Sequence, residues 1–134
     1  MWSLPRGADV TRFSDGDRVF GRVAQDAMGA FAEYLSIKEE LLAAMPHSVD
    51  FDEAAAVPLA GLTALQCLRD ELKITPGQRL FISGVAGGVG TFAIQIAKWL
   101  GAEVTTTASA SFGGIPLVRA LDADQVIDYR HPSS

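Results

Sequence analysis

Glycines recur at a regular spacing in the second half of the chain. Gly84, Gly87 and Gly90 give the pattern G-x-x-G-x-x-G, and Gly88 adds a fourth glycine. A turn built this way can bring backbone N–H groups close to a bound anion, because no side chain stands in between. The pattern indicates either a phosphate-binding turn or a tight turn that serves only to pack two elements together.

The segments on either side of the glycines favour phosphate binding. Residues 79–83 form a short apolar run that predicts a strand buried on both faces. Apolar residues then recur at helical spacing: Val89, Phe92, Ala93, Ile96, Ala97 and Leu100. Gly101 is expected to end that helix. A strand, a glycine turn, a helix and a second strand within ~30 residues are typical of a dinucleotide-binding unit, whose helix N-terminus holds the pyrophosphate.

The second strand of this unit, predicted over residues 103–109, indicates which dinucleotide is bound. An NAD site usually has an acidic residue near the end of that strand, where it binds the ribose 2′-hydroxyl. No Asp or Glu occurs between Glu103, which begins the strand, and Asp122. A 2′-phosphate would therefore meet no repulsive charge, and Ser109 could donate a hydrogen bond to it. We expect NADP(H). Three further residues could come near: Arg119, Tyr129 and Arg130.

The remaining pattern predicts an α/β fold. Residues 116–121 read as a short helix and residues 125–129 as a third strand, so residues 79–129 spell β-α-β-α-β. Strands that alternate with helices imply a parallel sheet with right-handed crossovers.

The first part of the chain reads differently. Three short strands are expected: residues 18–20, 29–37 and 41–46. They are too few to make a stable domain by themselves. Residues 47–73 are predicted to be helical, with Ser48 or Asp50 as the N-cap. Pro58 is expected to kink or end the first helix, and a second helix is expected over residues 61–72.

Composition excludes several classes of function. Nearly half of the 134 residues are apolar and a fifth are charged, so a packed core is expected. The net charge of −5 argues against nucleic acid or an anionic membrane surface as the main partner. No run of ~20 apolar residues predicts a membrane span. The first residues lack the apolar core of a signal peptide, so a cytoplasmic location is the default expectation.

No residue stands out as a catalytic group. Cys67, the single cysteine, lies in an apolar helical pattern and is expected to be buried. His47 suits a capping or exposed role, and His131 is expected to be solvated. Tyr34 alternates within a predicted strand and is more typical of packing. We therefore assign no catalytic residue and no metal site from the sequence.

Several segments together resemble a known family. They read "GDRVFG", "GAFAEY", "AAAVPLAGLTAL", "GVAGGVGTFAIQIAKWLGAEV" and "VIDY". Over residues 7–130 the chain resembles the zinc-independent medium-chain dehydrogenase/reductases, most closely the quinone oxidoreductase and enone reductase branch. The resemblance implies a GroES-like β domain and a Rossmann domain. It also implies NADPH as the hydride donor and a quinone or α,β-unsaturated carbonyl as the acceptor.

The resemblance also implies site residues. Five positions match the family's pyrophosphate turn: Gly84, Gly87, Gly88, Val89 and Gly90. Thr63 matches a threonine that lies near the nicotinamide. Ser109 and Tyr129 match positions that contact the adenosine 2′-phosphate. The family commonly has a basic residue just after the second strand, but residues 109–116 contain none.

The matched segments make up less than half of a family member. We expect the first half of a Rossmann sheet (a doubly wound parallel sheet) preceded by a remnant of the GroES-like domain. The expected segments are a β segment over residues 1–46, connecting helices over 47–77 and the dinucleotide-binding part over 78–134. A homodimer is possible, because the family is commonly dimeric. The alternative function is a non-catalytic nucleotide-binding or interaction module derived from such an enzyme.

Overall fold

The structure is a computed structural model of the chain. It describes three stretches: residues 6–24, 29–110 and 113–131. The chain divides into two compact units, Met1–Pro58 and Leu59–Ser134. The three segments expected from the sequence, with bounds after residues 46 and 77, stay a prediction.

The first unit contains a two-stranded antiparallel ribbon. Strand β1 (Val19–Gly21) pairs with β2 (Leu42–Ala44), with Val19 opposite Ala44. A short 3₁₀ turn, Glu39–Leu41, leads into β2. Two of the three predicted strands are therefore confirmed, with shifts of one or two residues at their ends.

The strand predicted over residues 29–37 is wrong. Residues 29–38 carry no strand assignment, and Phe31 is fully exposed to solvent, while Tyr34 and Leu35 are about half exposed. An alternating pattern specifies a strand only where one face is buried and the backbone finds a partner. In the described part of the first unit, β1 pairs with β2 only.

Helix α1 (Phe51–Leu65) begins with a reciprocal pair of hydrogen bonds. The N–H of Glu53 donates to Asp50 Oδ1 (2.8 Å), and the N–H of Asp50 donates to Glu53 Oε2 (3.0 Å). This is a capping box, and it identifies Asp50 as the N-cap rather than Ser48. The expectation that Pro58 ends the first helix is wrong, because the helix continues to Leu65, and a kink at Pro58 stays a prediction. Alanine and leucine on either side favour the helix enough to tolerate one missing backbone hydrogen bond.

The predicted second helix is a continuation of α1. A π-helical segment, Gln66–Glu71, follows directly, and the N–H of Leu72 donates to the carbonyl of Cys67 (2.9 Å). Within this segment Leu68 is buried and Cys67 is exposed. The expectation of a buried Cys67 is therefore wrong, since the π-helical turn directs Leu68 into the core instead.

The second unit is built on a three-stranded parallel sheet. Its strands are β3 (Arg79–Ile82), β4 (Glu103–Ala108) and β5 (Gln125–Asp128), in the order β3-β4-β5. The crossovers carry helices α2 (Gly88–Trp99) and α3 (Gly114–Ala120). The predicted β-α-β-α-β order and the parallel sheet are confirmed.

The core of this unit lies between the sheet and its two helices. The largest apolar side chains that are fully buried there are Val85, Ile94, Val104 and Val118. Because Ile94 belongs to α2 and Val118 to α3, both helices cover the same face of the sheet. Thr106 is also fully buried, and its hydroxyl donates to the carbonyl of Ile82 (2.7 Å).

Two details of the predicted burial are wrong. The helical spacing puts Val89 on the buried stripe of α2 and leaves Ile94 off it, but Val89 is exposed and Ile94 is fully buried. The apolar run predicts that β3 is buried on both faces, but Phe81 is 59% exposed. Phe81 points to the face of the sheet opposite Leu80 and Ile82, which pack on the core.

Asp124 ties the beginning of β5 to two other elements. Its carboxylate accepts hydrogen bonds from Lys98 Nζ (2.7 and 2.8 Å) and from the N–H of Val104 (2.6 Å). In return, the N–H of Asp124 donates to the carbonyl of Val104 (2.9 Å). The hydrogen bond from Lys98, followed by that from Val104, lowers the pKa of Asp124 below its ordinary value.

We predict that Asp124→Asn lowers the free energy of unfolding by about 1 kcal/mol at neutral pH. Folding lowers the pKa of this carboxyl, so its ionised form stabilises the folded state. The full contribution is present above the unfolded pKa of about 3.9 and is lost as the pH falls through the folded pKa. The difference in unfolding free energy between the native chain and Asp124→Asn should therefore shrink in acid. Urea unfolding at several pH values measures this difference.

Asp70→Asn is the matched control, because Asp70 pairs with its exposed sequence neighbour Arg69 and links no separate elements. It should leave the unfolding curve unchanged. Equal losses for both variants, or an Asp124→Asn deficit that persists into strong acid, would contradict this account of the Asp124 interactions.

Candidate functional site

The glycine-rich turn connects β3 to α2. Gly84 has a φ of +71°, a backbone conformation that favours glycine, and a Cβ added there would meet nothing within 4 Å. The N–H of Gly87 donates to the carbonyl of Gly84 (3.5 Å) and closes the turn. Between them Val85 is fully buried and anchors the turn to the core. Val85 thus holds the turn against the core, while Gly84 and Gly87 are exposed to solvent.

Gly90 sets the distance between the turn and the helix. A Cβ at this position would overlap Val85 Cα and would lie 2.9 Å from the Val85 carbonyl carbon and oxygen. Only a hydrogen atom fits there. The closest neighbour of Gly90 is therefore the backbone of the turn that follows β3.

The N-terminus of α2 is open to solvent. The first helical bond runs from the N–H of Thr91 to the carbonyl of Gly87 (3.0 Å), so the N–H groups before Thr91 have no acceptor within the helix. Gly87 is the N-cap, and no side chain in the described ranges caps this end. These N–H groups carry partial positive charge and suit an anion.

The surface beside the helix N-terminus is left uncovered at Gly87 and Gly88. A Cβ at Gly87 would meet only the carbonyl oxygen of Gly84, at 3.8 Å, and a Cβ at Gly88 would meet only Ala60 Cβ, at 3.7 Å. Neither position is crowded by the protein, yet a side chain at either would occupy the exposed space beside the helix N-terminus. The absence of side chains here leaves the backbone accessible.

The ends of β4 and β5 lie side by side at the same edge of the sheet. Ala108 pairs with Asp128, and the N–H of Tyr129 donates to the carbonyl of Ala108 (3.3 Å). Ser109 and Tyr129, the next residues on each strand, are therefore neighbours. Because all three strands are parallel, the glycine turn is at this edge too. The structure thus brings seven of the eight predicted site residues to one edge.

Thr63 is the eighth predicted site residue and lies on α1. Its hydroxyl donates to the carbonyl of Leu59 (2.7 Å), within its own helix. One turn earlier on the same helix, Ala60 approaches the position of Gly88. Helix α1 therefore runs past the glycine turn, and the predicted contact between Thr63 and the nicotinamide stays a prediction.

Sequence reasoning did not identify the role of Asp128, the last residue of β5. Its Oδ1 accepts a hydrogen bond from the N–H of Arg130 (3.0 Å), and its Oδ2 lies 3.3 Å from His131 Nδ1. The hydrogen bond from Arg130 is the main cause that lowers the pKa of Asp128, against the opposing effect of burial. An acidic residue that ends a strand and precedes a turn was the signal available in the sequence.

In residues 6–24, 29–110 and 113–131, no group of three or more His, Cys, Asp or Glu side chains is arranged to hold a metal ion. Over the same ranges, no helix has both the length and the apolar character needed to span a membrane.

Sequence comparison finds relatives over most of the chain. A quinone oxidoreductase of Pseudomonas aeruginosa is 41% identical over 125 residues, which are 93% of this chain and 38% of that protein. A chloroplastic quinone-oxidoreductase homologue of Spinacia oleracea is 40% identical and matches 94% of this chain and 39% of its own length. The chain therefore spans less than half the length of these relatives. No family model matches the chain.

Solved structures give the same result. The Escherichia coli quinone oxidoreductase complexed with NADPH is 34% identical, with a TM-score of 0.78 over 92% of this chain and 36% of that one. The quinone oxidoreductase of Coxiella burnetii is 38% identical, with a TM-score of 0.83 over 95% of this chain and 39% of that one. These likenesses confirm the predicted fold class, the first half of a Rossmann sheet.

We predict that Gly90→Ala destabilises the chain by about 1–3 kcal/mol or more, because the added methyl group overlaps the Val85 backbone. Gly88→Ala is the matched control in the same turn of the same helix. It meets no protein atom closer than 3.7 Å and should change the stability by less than about 1 kcal/mol. Thermal melts of both variants measure the difference, and a Gly90→Ala melt that matches the native one would contradict the packing described.

Proposed function

Because the chain belongs to the quinone oxidoreductase branch of the medium-chain dehydrogenase/reductases, we propose that it binds NADPH for hydride transfer to a quinone or an α,β-unsaturated carbonyl. The observation that carries the proposal is the open glycine turn at the N-terminus of α2. The family resemblance that the sequence motifs indicated is confirmed by the relatives.

The proposed contacts follow from what each part of the site offers. The N–H groups in the first turn of α2 would bind the pyrophosphate, because they have no acceptor within the helix and lie at its exposed N-terminus. Ser109 and Tyr129 would contact the 2′-phosphate of the adenosine, and Thr63 would lie near the nicotinamide. When bound, the nicotinamide supplies the hydride, and the protein's part is to position the reactants.

Three observations support NADPH over NADH. Strand β4 ends without an acidic side chain, so the ribose 2′ position meets no carboxylate from that strand. Ser109, just after the strand, is a hydrogen-bond donor of the right kind for a phosphate. The related quinone oxidoreductase of Escherichia coli forms a crystalline complex with NADPH.

The acceptor is proposed from the relatives. Their names include quinone oxidoreductases, a 2-methylene-furan-3-one reductase of Solanum lycopersicum and a trans-enoyl reductase of Aspergillus terreus. The substrates that these names indicate have a carbon made electron-poor by conjugation, which accepts a hydride. We propose this substrate class for the chain and assign no catalytic side chain to it. A homodimer and a cytoplasmic location also stay predictions.

A non-catalytic nucleotide-binding module is the second candidate. The observation that favours it is that the exposed N-terminus of α2 offers backbone N–H groups to a phosphate, and binding alone requires nothing more. Binding and turnover therefore need separate measurements. Oxidation of NADPH with a simple quinone or enone, compared with a blank lacking the acceptor, decides between an enzyme and a binding module.

We predict that the 134-residue chain binds NADPH more tightly than NADH, as measured by calorimetric titration. Gly87→Ala should weaken NADPH binding by about tenfold or more, since a methyl group would occupy the space beside the helix N-terminus. Its melting temperature should stay unchanged, because the same methyl group meets no protein atom closer than 3.8 Å.

Gly7→Ala is the matched control for this titration. It also adds a methyl group in ordinary contact, 3.8 Å from Val10, but outside the turn. It should bind NADPH like the native chain. Absence of NADPH binding by the native chain would overturn the proposed function, and unchanged binding by Gly87→Ala would overturn the site.

A further inference from the structure

A tight turn follows β5 at the edge of the sheet that carries the glycine turn. The carboxylate and the main chain of Asp128 hold it together. Its Oδ1 accepts from the N–H of Arg130 (3.0 Å), and its carbonyl accepts from the N–H of His131 (3.2 Å). Its Oδ2 lies 3.3 Å from His131 Nδ1. The backbone of Arg130 is therefore fixed on both sides.

The carboxylate of Asp128 faces this turn rather than solvent. The side chain is only 13% exposed, whereas that of His131 is 73% exposed. The hydrogen bond from the N–H of Arg130 lowers the pKa of Asp128, so the carboxylate stays ionised and keeps accepting this bond at neutral pH. Asp128 thus acts as a fixed acceptor that shapes the turn.

Arg130 carries a charge that nothing in the described ranges neutralises. It is exposed, and its guanidinium makes no ion pair or hydrogen bond with any residue that the structure describes. Lys98, at the far end of α2, differs, because Asp124 binds its ammonium group with both oxygens. A guanidinium without a carboxylate partner is suited to binding a phosphate.

The register of the sheet brings the turn after β5 beside the end of β4, where Ser109 follows. Asp128 pairs with Ala108, so Arg130 is two residues beyond the point where β5 meets the end of β4. Residues 109–116 themselves contain no Lys or Arg. A cation for a phosphate bound at the end of β4 must therefore come from another element, and the turn after β5 supplies one.

We propose that Arg130 binds the 2′-phosphate of NADPH and that Asp128 is the positioning residue that holds the Arg130 backbone in place. This inference rests on the proposed function, because it names the residue that would make that site prefer NADPH over NADH. Arg130 replaces, from the neighbouring strand, the basic residue that is missing after β4.

Two small nucleotides test the role of Arg130 without any enzymatic reaction. Adenosine 2′,5′-bisphosphate carries the 2′-phosphate, and 5′-ADP does not. In calorimetric titrations, Arg130→Ala should weaken binding of the bisphosphate by about tenfold or more and change binding of 5′-ADP by less than about twofold. Arg79→Ala is the matched control and should leave both affinities unchanged, because the exposed Arg79 begins β3 at the opposite edge of the sheet.

Asp128 is tested by a pair of substitutions. Asp128→Ala removes the acceptor for the Arg130 N–H and should weaken binding of the bisphosphate selectively. Asp128→Asn keeps an oxygen acceptor at the same position and should restore most of that affinity. If Asp128 had a purely structural role, Asp128→Ala would instead weaken the binding of both nucleotides alike and lower the melting temperature.

The failures of the two proposals are distinguishable. If the native chain binds NADPH but Arg130→Ala keeps the full preference for the bisphosphate, the role of Arg130 is overturned and the proposed function stands. An equal loss of affinity for the bisphosphate and for 5′-ADP in Arg130→Ala would also overturn the role of Arg130. If the native chain binds neither NADPH nor the bisphosphate, both proposals fail together.

Discussion

The contact between Gly90 and the backbone of Val85 is the constraint on which the site depends. It leaves room for a hydrogen atom only, so the first turn of α2 lies directly against the turn that precedes it. Val85 is itself fully buried, which fixes the turn on the core. The N-terminus of α2 is therefore held at the edge of the sheet with its N–H groups exposed, an arrangement that suits an anion.

The two edges of the sheet have different roles. At the amino edge, Asp124 links β5 to β4 and to α2 through the Lys98 ammonium group and the Val104 N–H. At the carboxyl edge, the turns after β3 and β5 are exposed at Gly84, Gly87, Tyr129 and Arg130. Strong internal bonding at one edge holds the strands in register, and register is what brings Ser109 and Tyr129 together at the other.

The sequence predicted those features of the fold that depend on local patterns. Alternating strand and helix patterns predicted the parallel sheet, and the glycine spacing predicted the turn. Burial depends on which elements cover a surface, so the burial predicted for Val89 and Phe81 was wrong. For the same reason, the strand expected at residues 29–37 does not form in the structure. The turn after β5 was missed for a related reason, because the role of Asp128 arises from hydrogen bonds to the two residues that follow it.

The most direct test of the account is an NMR titration of the ¹⁵N-labelled chain with NADPH. Saturating shifts should concentrate on the amides of Gly87, Gly88 and Val89, with a second group at Ser109 and Tyr129. That result would show the pyrophosphate on the glycine turn and the adenosine at the strand ends. Shifts confined to other parts of the chain, or no saturable shift at the glycine turn, would contradict the central claim.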